Sequence, residues 1–169
     1  MSKFNERATQ LDRFLASVRH PLKFRLFRLW KLPASFFSGV RVDSLLPEAC
    51  VCSVPHRWIT QNPFHSTYFA SLSMAAEMST GLLAMAHLYE SKPSVSMLVV
   101  RLEADFFRKA TERIFFTCAD GEIFYEAVNG TLSDGLPRTV RAKATGRNSS
   151  GEVAAVFFFT WSLKAKAKK

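Results

Sequence analysis

The stretch NPFHSTYFASLSMAAEMSTGLLAMAHLYE, Asn62 to Glu90, decides the fold. Asn62-Pro63 breaks the chain ahead of it, and from Ser66 to Tyr89 there is no proline and a single acid, Glu77. Ala, Leu and Met dominate the run, so it favours helix, roughly 35 Å long at about 1.5 Å per residue. A helix that is apolar on nearly every side is buried, most often under a sheet. Steps of about 100° place Tyr68, Leu72, Ala75, Leu82 and Ala86 opposite Glu77, and the small residues Ser66, Ala70, Ser73, Thr80, Gly81 and Ala84 on its own side. Small residues let a second backbone or a thin ligand come close. A buried carboxylate must be neutral, paired or facing a polar cavity, so Glu77 is the residue whose presence asks for a function.

The flanks supply the sheet. Gly39 to Leu46 and Cys50 to His56 alternate as a strand hairpin around Pro47-Glu48. Lys92-Pro93 ends the helix, and Ser94 to Phe107 reads as a long strand with Arg101, Glu103 and Asp105 on one face. Glu112 to Ala119 is the next strand. Asp120 is placed to cap a short helix from Glu122 to about Val128, with Asn129-Gly130 and Ser133-Asp134-Gly135 as loop. Pro137 to Arg147 alternates, with Thr139, Arg141, Lys143, Thr145 and Arg147 on one side and Val140, Ala142 and Ala144 on the other. Asn148 to Gly151 turns the chain into Val153 to Leu163, so apolar that it reads as a central strand covered on both faces.

Upstream, Phe4 to Val18 is an amphipathic helix with Leu11, Phe14, Leu15 and Val18 on one side, ended by His20-Pro21. LKFRLFRLWKL, Leu22 to Leu32, interleaves Lys23, Arg25, Arg28 and Lys31 with large apolar residues, and helical spacing groups Leu22, Leu26, Leu29 and Trp30. A basic amphipathic helix lies on a membrane surface or packs on its domain with the basic side in water; the second is the expectation. Pro33 closes it. The predicted organisation is a helical extension over 1–33, one α+β domain over 34–164 and a frayed basic tail over 165–169.

With 169 residues and 48% hydrophobic content, the chain suits one domain with a real core rather than disorder. A formal net charge of +9 points to an anionic partner: nucleic acid, an acidic membrane surface or a phosphorylated small molecule. Cys50, Cys52 and Cys118 have no zinc-type spacing and read as buried reduced thiols, and no metal site is visible. Met1 to Arg13 is polar and unlike a secretory signal. The expectation is a soluble, cytoplasmic protein.

A curved antiparallel sheet wrapped round one helix is the hotdog arrangement, and here the chain resembles the hotdog thioesterase superfamily, nearest to a branch known as a domain of unknown function with extra N-terminal helices. The likeness covers roughly Leu32 to Leu163. It rests on NPFHSTYFASLSMAAEMSTG, on FFRKATERIFFTCADG and on ATGRNSSGEVAAVFFFTWSL. The superfamily pattern is an Asn, a small-residue or His-Gly-Gly lead into the helix, and an acid about eight residues on. These fall on Asn62, on Tyr68-Phe69-Ala70 and on Glu77. Phe69 and Ala70 replace both glycines, and Gly81, with Thr80 beside it, stands where some relatives carry a hydroxyl.

The resemblance implies hydrolysis of an acyl-coenzyme A or acyl-carrier thioester, coenzyme A entering as part of the substrate and no other cofactor being needed. A thioester carbonyl needs donors where negative charge develops, and the free backbone N–H groups near Phe69 and Ala70 are candidates. Glu77 is the candidate to activate water or attack directly. Asn62 either holds the carbonyl or the water, or is a plain turn residue. Phe69 and Glu77 are eight residues apart, roughly 12 Å along one helix, so both cannot touch one carbonyl. Two antiparallel helices from two subunits bring them together, which makes the protein a homodimer or a dimer of dimers. Arg108, Lys109, Arg141, Lys143 and Arg147 are candidates for the coenzyme A phosphates; alternatively Arg141 or Lys143 pairs across strands with Glu103 or Asp105. Phe106, Phe115, Phe124 and Tyr125 are candidate acyl-pocket or core residues. His65 reads as a capping or surface residue. A non-catalytic acyl-CoA or fatty-acyl binding module on the same fold is the competing reading. Nucleic acid is not expected as a partner, for no such motif accompanies the charge, and any membrane-surface contact is expected to be weak.

Overall fold

The computed structural model describes residues 3–166, with the backbone alone for 3–9. Residues 1–2 and 167–169, the ends of the predicted extension and tail, lie outside the described residues. The elements are α1 (Lys3–Arg19), α2 (Pro21–Lys31), α3 (Pro33–Phe37), β1 (Arg41–Leu45), β2 (Cys50–Val54), a 3-10 turn (Trp58–Thr60), α4 (Phe69–Leu88), β3 (Val95–Phe106), β4 (Ile114–Cys118), α5 (Gly121–Asp134), β5 (Arg138–Arg147) and β6 (Val153–Ala165).

The six strands form one antiparallel sheet in the order β1-β2-β4-β5-β6-β3. α4 lies across β2, β4 and β5 and only grazes β6, while α5 lies beside it against β5 and β6. This is the hotdog fold. Phe116, Phe157 and Phe159 line the interior, Phe157 meeting Phe116 edge to face at 5.6 Å and stacking on Phe159 at 6.2 Å. Trp161 of β6 donates its indole N–H to Thr80 Oγ1 at 3.1 Å, and Thr80 donates to the carbonyl of Glu77 at 3.0 Å. The sheet thereby fixes the rotation of α4 about its axis. α4 is long and apolar enough to cross a membrane, but it is the core helix of this domain. Cys50, Cys52 and Cys118 are free and buried; burial pushes the Cys118 thiol up to about 12.

α1 belongs to the same core. Phe14, Leu15 and Val18 are buried, Phe14 sits 5.2 Å from the ring of Tyr89, and Gln10 donates to the carbonyl of Glu90 at 3.1 Å.

Several expectations are corrected. α4 starts at Phe69, three residues after Ser66, because Thr67 is still extended and bridges Gln61. α5 runs to Asp134 rather than Val128. Gly130 does not stop it: a Cβ there would lie 2.4 Å from the Arg138 guanidinium, so the glycine makes room for that side chain. The helix ends instead at Gly135, whose φ of 75° is the left-handed conformation glycine adopts freely. Asp120 makes no side-chain cap; its carboxylate accepts from the backbone N–H of Lys143 at 2.6 Å, on the part of β5 that β4 does not reach. The segment after Pro33 forms the five-residue α3. β6 extends to Ala165, and the N–H of Lys166 bonds to Ser94, so the start of the tail is held. Phe158, Thr160 and Ser162 on the outer face of β6 are only half buried, and the cover there is the Arg141 guanidinium, 3.7 Å above the Phe158 ring. Finally, α2 does not lay its apolar side on the domain: Leu22, Leu26, Leu29 and Trp30 face outward, and none of its residues is buried.

Candidate active site

The lead into α4 is built by Asn62. Its Oδ1 accepts from the backbone N–H of Phe64 at 3.0 Å and of Ser66 at 3.2 Å, and from the Ser66 hydroxyl at 3.2 Å. Its backbone N–H bonds to the carbonyl of Ser66 at 2.8 Å. With Oδ1 so occupied, the Nδ2 amide is left with two donors and no acceptor among the described residues. His65 in this loop adopts φ 56° and is exposed. Two predictions separate the roles of Asn62. Asn62→Ala, which removes the acceptor, costs about 1–3 kcal/mol in chemical denaturation. Asn62→Asp keeps the acceptor and the turn and leaves stability close to wild type, while losing the donor.

The chain next pins itself down by Thr67 N–H to the Ala110 carbonyl at 2.7 Å and Tyr68 N–H to the Thr60 carbonyl at 2.7 Å. The N–H groups of Ser71 and Leu72 both bond to the carbonyl of Tyr68, at 2.9 and 3.2 Å. The amides of Phe69 and Ala70 meet no acceptor among the described residues. They form the positive end of a 20-residue helix. The Phe69 ring is exposed and meets Tyr68 edge to face at 4.8 Å.

Glu77 stands two turns further on. Among the described residues its carboxylate has no ion pair and no hydrogen bond, and burial pushes its carboxyl above the ordinary range. It is not sealed in. Phe69, Ala70, Ser73, Met74 and Glu77 are the residues of the first half of α4 left exposed or half buried, and helical spacing gathers them into one stripe. The apolar run is therefore not covered all round. Gly81 clears the space below: a Cβ there would lie 3.2 Å from Glu77 Oε1 and 3.3 Å from the Trp161 ring. Glu77 lines neither the cavity of about 860 Å³ beside α2 nor that of about 490 Å³ beside α5.

The predicted phosphate ligands separate into two groups. Arg108 and Lys109 follow β3 beside the lead into α4; Lys109 donates to the Phe64 carbonyl at 3.4 Å and Arg108 pairs with Glu152. Arg141, Lys143 and Arg147 lie on the outer face of β5, whereas α4 lies on the inner face with Val140, Ala142 and Ala144. Arg141 pairs with Glu103 at 3.1 Å, the cross-strand alternative, and Arg147 donates to the Gly151 carbonyl at 2.7 Å. The structure does not bring these three to Glu77. Phe124 is fully buried core, while Phe106 and Tyr125 are partly exposed. An uncovered strip on the inner face of β3 had no signal in the sequence. Leu102 and Phe106 pair with Phe159 and Ala155 on β6, both buried, which puts them on the inner face of the sheet, yet they remain 47% and 52% exposed.

An acid without a partner among the described residues, two free amides at the helix start and the sheet around them are set in a hotdog fold. The chain belongs to the family DUF4442, a domain of unknown function, whose model matches residues 25–162. No curated protein matches in sequence. Among solved structures it is similar to a Pseudomonas aeruginosa protein of unknown function described as a probable thioesterase, with 20% identity over 86% of this chain and 97% of that one and a TM-score of 0.72. It is also similar to a Chlorobaculum tepidum protein of unknown function, with 17% identity over 85% and 93% and a TM-score of 0.69. A Haemophilus influenzae thioesterase matches at 14% identity over 85% and 90%, with a TM-score of 0.63. These likenesses establish the fold.

Proposed function

We propose that this protein hydrolyses acyl-coenzyme A thioesters as a homodimer, each site built from two subunits. The observation that carries the proposal is Glu77: a carboxylate without a partner among the described residues, on an open stripe of an otherwise buried helix. Desolvating such a group is costly, and a raised carboxyl is a better base at neutral pH.

In the proposed reaction the thioester carbonyl oxygen sits on the Phe69 and Ala70 amides of one subunit, with the Asn62 Nδ2 group beside it. Glu77 of the other subunit takes a proton from water as the water oxygen bonds to the carbonyl carbon. Negative charge moves onto the carbonyl oxygen and is met by those donors. The intermediate collapses, the C–S bond breaks, and coenzyme A leaves as its thiol with the proton Glu77 held. The products are a carboxylic acid and free coenzyme A.

The homodimer is supported by the free edge of β3. Its Leu98 and Val100 are 66% and 54% exposed, and Leu102 and Phe106 leave an apolar strip on the inner face of the sheet. Pairing of two β3 edges would continue the sheet and cover both. Arg108 and Lys109, next to the start of α4, are the cations best placed for coenzyme A phosphates.

A second reading is favoured by one observation. The exposed Phe69 and Tyr68 rings crowd the helix start, and they would suit a module that holds an acyl-CoA without cleaving it. Thiol release from a panel of short, long and aryl acyl-coenzyme A substrates separates the two. Hydrolysis of at least one class is expected; tight binding across the panel with no thiol released would leave the binding module.

A further inference from the structure

α2 is turned inside out with respect to its own domain. Counting from Leu22 in steps of about 100°, Leu29, Leu22, Leu26 and Trp30 fall within one arc of about 100°. Leu22, Leu26 and Trp30 are 62%, 56% and 81% exposed. On the opposite side lie Phe24 and Arg28, and these alone in the helix are half buried. An ordinary surface helix does the reverse, burying its aliphatic arc and wetting its cations. Here the domain takes up an arginine, whose Nε is buried without an acceptor among the described residues and whose guanidinium lies 6.0 and 5.8 Å from the rings of Phe24 and Phe36. The leucines and the tryptophan are left outside.

The surrounding charge is of one sign. Residues 13–42 contain seven Lys and Arg and no Asp or Glu. Lys23 and Arg25 flank the apolar arc on its two sides. A cavity of about 860 Å³ between α2, α3 and β1 is lined by Arg19, Arg25, Arg28, Arg41 and Arg57, with Asp43 as its one carboxylate. Nucleic acid would use these cations but would leave the aliphatic arc in water. A second copy of this face would set like charges against each other. A bilayer with anionic headgroups meets both parts at once: the arc enters the boundary of the acyl chains, and the flanking cations reach the phosphates.

We propose that α2 is an interfacial anchor that lays this domain on an anionic lipid bilayer through Leu22, Leu26, Leu29 and Trp30.

The test is flotation of the full chain with vesicles of phosphatidylcholine alone or with about one-third phosphatidylglycerol. The expected result is at least tenfold stronger partitioning onto the anionic vesicles, weakening as salt is raised. The variant Leu26→Glu/Trp30→Glu should lose at least tenfold of that binding. Its fold should stay intact, because both side chains are exposed. In a Trp58→Phe background the emission of Trp30 should shift to the blue on anionic vesicles. Three results would overturn the proposal: no binding to anionic vesicles, equal binding by the Leu26→Glu/Trp30→Glu variant, or a self-association in sedimentation that this variant abolishes while vesicle binding is absent. Thiol release from a soluble acyl-coenzyme A is expected to be the same for the variant and wild type, so the lipid result stands or falls apart from the hydrolytic one.

Discussion

Glu77→Gln is expected to lower thioester turnover by about 10²- to 10⁴-fold, the range lost with a positioned general base, and to leave substrate binding near wild type. Gln is close to Glu in size, and among the described residues the Glu77 carboxylate makes no bond that its loss would orphan. The variant therefore folds and separates chemistry from binding. The same substitution has a pH signature. Burial raises the folded-state carboxyl above its ordinary value near 4.5. The folded protein thus holds a proton that the unfolded chain releases first. Wild-type stability falls, relative to the Gln variant, as pH rises from about 4.5 to the raised value, and stays lower above it. Below about 4.5 the two should unfold alike. Denaturant melts of both proteins across this range read the difference. A Glu77 held by a hidden cation would give the opposite slope.

Phe116→Ala is expected to cost about 3–5 kcal/mol, the range for deleting a fully buried phenyl ring. The ring has no solvent exposure and leans edge to face on Phe157. It also reaches β5 across the sheet, where a Cβ on Gly146 would fall 2.4 Å from it. Gly146→Ala should therefore destabilise by about 1–3 kcal/mol through overpacking, and in the Phe116→Ala background much of that cost should vanish. Urea unfolding of the two single variants and the double variant closes the cycle. Additive losses would mean that ring and glycine do not share one space.

Much of the fold was legible because α4 and the strands carry different periods. A single acid in a long apolar run marked the core helix and singled out Glu77 as a candidate, and the alternation in β5 assigned Arg141, Lys143 and Arg147 to one face and Val140, Ala142 and Ala144 to the other. What stayed hidden depended on distant partners. Gly130 looks like a helix stop until the Arg138 side chain is laid over it. Asp120 looks like a cap until the unpaired Lys143 N–H takes its carboxylate. Periodicity shows that α2 has an apolar arc but not which way the arc looks. At the site, the identity of Glu77 was readable and its lack of a partner was not. Nor could the sequence show that the Asn62 side chain spends its oxygen on the turn and keeps its amide donors free.

The proposed dimer sets the free amides of one α4 to work with Glu77 of another. It is tested most directly by subunit mixing. Asn62→Asp and Glu77→Gln homodimers should each be nearly inactive. After unfolding together and refolding, half of the dimers should carry one of each chain, and in a twofold dimer one of their two sites regains both native groups, restoring about a quarter of wild-type thiol release. Sites built within one chain would give no recovery on mixing, and that result would contradict the account.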